Sequence, residues 1–152
     1  MTGMSAAAYD CEVDGLYYNL YGENAYVTFY SDRYYNNEDA YKGEITIPES
    51  IKYKGNDYRV TAIGYRAFYH CTNLKSVSLP NSITSIGIEA FHYCQELEII
   101  KMSENIESIG EEAFYDCSKL NTIYIPQTVK ERAPAEVSRR HSSRDLKARW
   151  SW

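Results

Sequence analysis

One pattern of residue types returns every 23 residues, and it limits the chain to folds that stack a small unit on the next. Ile63, Ile86 and Ile109 are each followed by glycine (Gly64, Gly87, Gly110), and then by Ala67-Phe68, Ala90-Phe91 and Ala113-Phe114. Cys71, Cys94 and Cys117 come next, then Leu74, Leu97 and Leu120, then Val77, Ile100 and Ile123. Leu79, Met102 and Ile125 fill the following slot. Pro80 and Pro126 follow two of these, with Ser103 in the middle copy, and Ile83, Ile106 and Val129 end the unit.

Each unit has two halves. Leu-x-x-Val-x-Leu-Pro alternates apolar and polar residues at its end, the mark of a strand with one buried face, and Pro stops ladder pairing there. Ile-Gly-x-x-Ala-Phe-x-x-Cys spaces its apolar residues at helix-like intervals, which predicts one or two helical turns laying a stripe on the core. A single unit leaves that stripe in water, so neighbours must stack to bury it. The expected core is Ile63, Phe68, Cys71 and Leu74, then Ile86, Phe91, Cys94 and Leu97, then Ile109, Phe114, Cys117 and Leu120.

The string Leu-x-x-Val-x-Leu-Pro-x-x-Ile-x-x-Ile-Gly-x-x-Ala-Phe-x-x-Cys resembles the BspA-like leucine-rich repeat. Ala8 to Leu20 is also similar to the start of the mature part of such proteins, with Cys11 where an aromatic residue is commoner. The resemblance covers Ala8 to Val129. It implies a leucine-rich-repeat solenoid, α/β or β-rich, of short strands plus short helical turns. It also implies a secreted or cell-surface protein of host-associated bacteria or of some protists, concerned with adhesion and protein binding.

Upstream of the repeats, Ile45, Ile47, Pro48 and Ile51 match Val77, Leu79, Pro80 and Ile83, and Val60 to Ile63 match Ile83 to Ile86. Residues 52–59 then read as a hairpin insertion turning at Gly55-Asn56. Val13-Asp14-Gly15-Leu16 carries the signal of a type I′ hairpin, and Ala25 to Tyr30 is a further strand candidate. Residues 9–44 are therefore expected to form a β-rich N-terminal cap, and residues 45–130 the solenoid. Eleven of the 16 tyrosines precede Thr61. They suit either the edges of a small cap core or an aromatic binding face, since Tyr pairs an apolar ring with a polar tip.

Both ends depart from the pattern. Residues 1–8 lack a charged start and a long apolar stretch, yet Ser5 to Ala8 has the small residues of a cleavage zone, so a leader remnant or a late start codon is expected. After Val129 a fourth unit would need Ile-Gly at 132–133 and Ala-Phe at 136–137, and the chain has Arg132-Ala133 and Glu136-Val137. Five of eight arginines fall in 132–149, which makes residues 131–152 a basic non-repeat tail. Pro134 can open a short helix over Ala135 to Arg149. A poorly ordered tail, a basic arm and a coding-frame disruption of a longer array all remain open.

The net charge of −5 provides no footprint for nucleic acid, and no apolar run reaches the ~18–20 residues of a membrane span. Cys71, Cys94 and Cys117 share one slot, so their side chains point alike and are expected as buried free thiols rather than disulfides. His70, His92 and the cysteines lack metal-ligand spacing, and no nucleophile elbow, zinc-protease pair or phosphate loop occurs. No enzyme, cofactor or metal is expected.

Binding is expected on the outward residues of the strands: Lys75, Ser76 and Ser78, then Glu98, Ile99 and Lys101, then Asn121, Thr122 and Tyr124. A second ladder, Tyr69, His92 and Tyr115 flanked by His70, Tyr93 and Asp116, suits packing along the outer edge. The expected function is a non-catalytic protein-binding or adhesion module with a protein or glycan partner. The alternative is a structural spacer, or a fragment of a longer array.

Overall fold

The computed structural model describes residues 9–30, 40–132 and 147–150. Strands β1 (Cys11–Val13), β2 (Leu16–Tyr21) and β3 (Asn24–Val27) form an antiparallel run. Asp14 and Gly15 sit at φ 52° and 78°, as the two-residue type I′ turn between β1 and β2 requires. Strands β5 (Ser50–Tyr53) and β6 (Asn56–Ile63) form an antiparallel hairpin. Its turn is Lys54-Gly55, at φ 49° and 83°, one residue earlier than the sequence suggested.

From there the chain coils. Strands β4 (Gly43–Thr46), β7 (Leu74–Ser78) and β9 (Ile99–Lys101) pair in parallel in that order. On a second side β3, β6, β8 (Ser85–Ile86), β10 (Ser108–Ile109) and β12 (Glu131–Arg132) form a parallel ladder. Strand β11 (Thr122–Ile125) pairs in parallel with β13 (Lys147–Trp150).

The third side corrects an expectation: there is no helix among the described residues. Where helical turns were expected, each unit has two residues in the left-handed region: Arg66 and His70, Glu89 and Tyr93, Glu112 and Asp116, with φ between 52° and 61°. A helix needs consecutive right-handed residues, so these positions cut it into tight turns. Alternate amides then do different jobs. Those of Ala67, Tyr69 and Cys71 bond three residues back, to the carbonyls of Gly64, Arg66 and Phe68. Those of Arg66, Phe68 and His70 reach across to Ile88, Ala90 and His92 of the next coil at 2.8–3.1 Å. The apolar spacing was genuine, but a stack of turns bonded sideways satisfies it as well as a helix does.

The core is a set of columns. Ile63, Phe68, Cys71, Leu74, Ile86, Phe91, Cys94, Leu97, Ile109, Phe114, Cys117 and Leu120 are all buried. Tyr41, Phe68, Phe91 and Phe114 form a file of rings with centroids 4.7, 4.9 and 5.3 Å apart, the three phenylalanines near parallel. Tyr41 begins the file and is anchored at both ends of its hydroxyl. It donates to the Thr28 carbonyl at 2.7 Å and accepts from the Tyr17 amide at 3.0 Å.

The glycine column explains how the coils come so close. A Cβ built on Gly87 would lie 2.7 Å from the Gly64 carbonyl carbon and from the Tyr65 nitrogen. One on Gly110 would strike the backbone of Gly87 and Ile88. Only hydrogen fits between the backbones at this slot.

At the C-terminal end the backbone goes further than the side-chain pattern. Glu131 and Arg132 stand in register with Ser108 and Ile109, although the residue types no longer match. Lys147 to Trp150 pair with Thr122 to Ile125, so the end of the tail is a strand rather than the expected helix. The remainder of that expected helix, and residues 1–8, lie outside the described residues.

Candidate binding face

The outward residues of β7, β9 and β11 come together on one side of the stack. Lys75, Glu98, Ile99, Lys101, Asn121 and Tyr124 are exposed, and Ser76, Ser78 and Thr122 half-buried. Between them Leu74, Val77, Ile100, Ile123 and Ile125 turn to the core, fully or in part. From Ser76, Ile99 and Thr122 onward, outward and inward residues alternate as in a half-buried strand. On this polar ground Ile99 is 62% exposed and Tyr124 61% exposed. Lys119 adds a cation at the rim, bound to Glu96 at 2.6 Å and 3.9 Å from Glu98.

The face is not one continuous sheet. β4, β7 and β9 are joined, and β11 is joined to β13, but no strand pairing links β9 to β11. Nearly all Cα pairs between β9 and β11 exceed 8 Å, whereas paired strands run ~4.8 Å apart. Beside the start of β9, Glu98, Ile99, Ser118, Lys119 and Asn121 line an open cleft of about 400 Å³. Glu98, Ile99 and Asn121 are among the residues expected to face outward, and Ser118 and Lys119 are not. Nothing in the repeat distinguishes this junction from the one before it.

The aromatic ladder on the turn side serves stacking. Tyr69, His92 and Tyr115 lie near parallel, with centroids 5.1 and 4.6 Å apart, and Tyr93 meets His92 and Tyr115 edge-on. Their ring faces are thereby spent on each other. Arg66 lies over Tyr65 and Tyr69 at 4.9 and 4.8 Å and pairs with Glu89 of the next coil at 2.7 Å. His92 is almost fully buried, its Nε2 3.4 Å from Glu112 and its Nδ1 without a hydrogen-bond partner. Burial holds its pKa below the ordinary histidine value, against the upward pull of Glu89 and Glu112.

The cysteine column is chemically quiet. All four cysteines are buried, and none is in a disulfide. Cys94 and Cys117 donate S–H to the carbonyls of Phe68 and Phe91 in the preceding coil, at 3.0 and 3.1 Å. Burial pushes the Cys71 thiol up to about 12 and that of Cys94 well above its usual value, so thiolate, the reactive form, is suppressed.

At the N-terminal end the tyrosines divide. Tyr18 and Tyr41 are buried, while Tyr9, Tyr17 and Tyr30 cluster with centroids 4.6–6.3 Å apart. Among the described residues no group of three or more His, Cys, Asp or Glu is arranged to hold a metal ion.

Comparison with known proteins adds a family and several folds. A family model described as the BspA type leucine rich repeat region matches residues 39–135, in six copies. A leucine-rich repeat protein from Bacteroides capillosus is similar at 28% identity and TM-score 0.73, over 93% of this chain and 98% of that one. The leucine-rich repeat protein of T. pallidum is 25% identical with a TM-score of 0.63, covering 79% of this chain and 51% of its own. A leucine rich cell surface protein from Faecalibacterium prausnitzii is 25% identical with a TM-score of 0.62, covering 78% of this chain and 37% of its own. This chain therefore spans nearly all of the first, about half of the second and about a third of the third. No curated protein matches it.

Proposed function

The chain belongs to the BspA-type leucine-rich-repeat family, and on that footing we propose that its β7–β9–β11 face binds a protein partner outside the cell. One observation carries the reading: Ile99 and Tyr124, both more than 60% exposed, stand on a strand face otherwise made of Lys, Glu, Ser, Asn and Thr. Aromatic and aliphatic anchors ringed by polar residues are the usual make-up of a protein contact. The turn-side ladder is a poorer candidate, because its rings face one another.

The finer parts of the proposal follow from the same picture. Residues 9–44 act as the N-terminal cap, with Tyr41 closing the file of phenylalanine rings. Residues 45–130 are the binding solenoid, interrupted by the hairpin at 52–59, and residues 131–152 are a basic non-repeat tail. Placement at the cell surface is supported by the similarity to a cell surface protein, and an adhesive role is proposed with it. Non-enzymatic action is supported by thiols that burial keeps protonated. No nucleic acid is proposed as a partner, given the net charge of −5.

The test is a panel of extracellular and cell-surface proteins, with glycans alongside, probed with labelled full-length chain and with the Ile99→Ser/Tyr124→Ser double variant. Saturable binding to a protein that falls about 10-fold or more in the double variant, while Tyr21→Ser leaves it intact, is the expected result. Glycan-only binding, or a double variant indistinguishable from the parent, would defeat the proposal.

A further inference from the structure

The hairpin that interrupts the repeat builds a second cleft, from strands other than those of the β7–β9–β11 face. We propose that this cleft binds a neutral oligosaccharide, gripping its hydroxyls with carboxylates, a guanidinium and an amide, and laying one sugar ring on Tyr21.

In the regular units Ile83 leads straight into β8, whereas the extra residues between Ile51 and Val60 fold back as part of β5 and the start of β6. The start of β6 is thereby flanked on both sides, by β3 in parallel and by β5 antiparallel. Register lines up one residue from each of four strands: Tyr21 opposite Asn24, Asn24 opposite Arg59, and Arg59 opposite Ser50. Directly opposed residues share a face of the sheet. This face is the outward one, since Tyr21 is 75% exposed, Arg59 and Ser50 are exposed and Asn24 is half-buried. Backbone bonds fix the flanks. The Arg59 amide donates to the Glu23 carbonyl and the Val60 amide to the Glu49 carbonyl, each at 2.9 Å, so Glu23 and Glu49 stand on opposite sides of β6.

The cleft has a volume of about 490 Å³. Glu23, Glu49 and Asp57 bring three carboxylates to it, Arg59 a guanidinium, and Asn24, Ser50 and Tyr58 neutral hydrogen-bonding groups. Among the described residues, none of these side chains hydrogen-bonds or ion-pairs with another, although Arg59 shares the cleft with three opposite charges. Polar groups that converge on one cleft without spending their bonds on each other are free to orient a ligand.

The mixture of charges selects the ligand class. A cation drawn to the carboxylates meets Arg59, and an anion drawn to Arg59 meets three carboxylates. A small zwitterion matches both signs, but exposed ion pairs contribute little in water and salt, so an open cleft gives it no hold. A sugar hydroxyl both donates and accepts. One hydroxyl can give to a carboxylate while its neighbour takes from Arg59 or Asn24, and bonds to an ionised partner are the stronger kind. The exposed ring of Tyr21 supplies the apolar area that the C–H face of a pyranose covers.

The test applies labelled full-length chain to an array of neutral, sialylated and sulfated oligosaccharides, with free glycine and lysine as soluble competitors. Saturable binding to neutral oligosaccharides is expected. Titrating the best of them into the parent chain should shift the NMR signals of the Asn24, Ser50 and Arg59 amides, which locates the sugar without any substitution. Its affinity should fall about 10-fold or more in Arg59→Ala and in Tyr21→Ser, and stay unchanged in Ile99→Ser/Tyr124→Ser. An array that binds nothing, or only sialylated or sulfated chains, overturns the proposal, as does displacement by glycine or lysine. Amide shifts confined to residues 75–78, 98–101 and 121–125 would put the sugar on the β7–β9–β11 face and overturn it too. The protein panel is read separately, because Arg59→Ala and Ile99→Ser/Tyr124→Ser report on different sites.

Discussion

His92 shows how one side chain can carry a conflict between packing and charge. It is stacked between Tyr69 and Tyr115 with little room for water, while Glu112 approaches its Nε2. Desolvation prevails, and the folded-state pKa is lowered. As pH falls, the unfolded chain therefore takes up this proton first. The stability His92 allows is complete above its unfolded pKa of ~6.5 and is lost as pH falls from there through the lower folded value. Urea melts at pH 7.5 and 5.5 should show a drop for the parent, and a smaller drop for His92→Phe. Equal drops would assign the pH response to other groups. The cysteines make a second prediction at this scale. With thiols buried and thiolate suppressed, a thiol reagent at pH 8 should label none of Cys11, Cys71, Cys94 and Cys117 in the folded chain and all four in denaturant.

At the scale of the element, the unit is held by what passes between coils rather than within one. Glycine at the slot after Ile is the clearest case. Alanine at Gly87 would set a Cβ 2.7 Å from two backbone atoms of the preceding coil, and backbone cannot rotate aside as a side chain can. Overpacking of that kind costs about 1–3 kcal/mol, more where relief requires moving a coil. Gly87→Ala should lower the melting midpoint clearly, whereas Gln127→Ala, at an exposed position, should leave stability within about 0.5 kcal/mol. Ser103 is the informative irregularity, standing where the neighbouring units have Pro80 and Pro126. It is fully buried, donates to the Ile83 carbonyl at 2.8 Å and accepts from the Asn105 amide at 3.1 Å. Ser103→Ala removes both bonds and should cost about 1–3 kcal/mol by equilibrium unfolding. The repeat marked Ser103 as a departure. Only the fold shows that its hydroxyl ties one coil to the last.

For the whole molecule the governing fact is that every coil needs a neighbour on each side. β12 and β13 supply one to the last repeat, by pairing with β10 and β11. A chain ending at Val129 loses both strands and bares two sheet edges. It should melt several degrees lower than the full chain and associate through those edges, as light scattering would report. Matching melts would mean that the tail contributes nothing to the array. The N-terminal strands stand at the other end of the same ladder, where β3 pairs with β6 and the Val27 carbonyl accepts from the Gly64 amide at 2.8 Å.

The repeat period, the identity of the core columns and the outward sorting of Lys75, Lys101 and Tyr124 were legible in the residues, because burial periodicity is written locally and repeated. The turn-built third side was not. Ile-Gly-x-x-Ala-Phe-x-x-Cys carries the same apolar spacing whether its amides bond along a helix or sideways to the next coil. The positive φ of Arg66, Glu89 and Glu112 belongs to the stacked state. Nor could the strand at Lys147–Trp150 be read, since basic residues of no period gain their conformation from the free edge of β11. The parting of β9 from β11 is tertiary in the same sense. It is a relation between two coils whose sequences each obey the repeat, so stacking alone decides where the sheet closes and where it stays open.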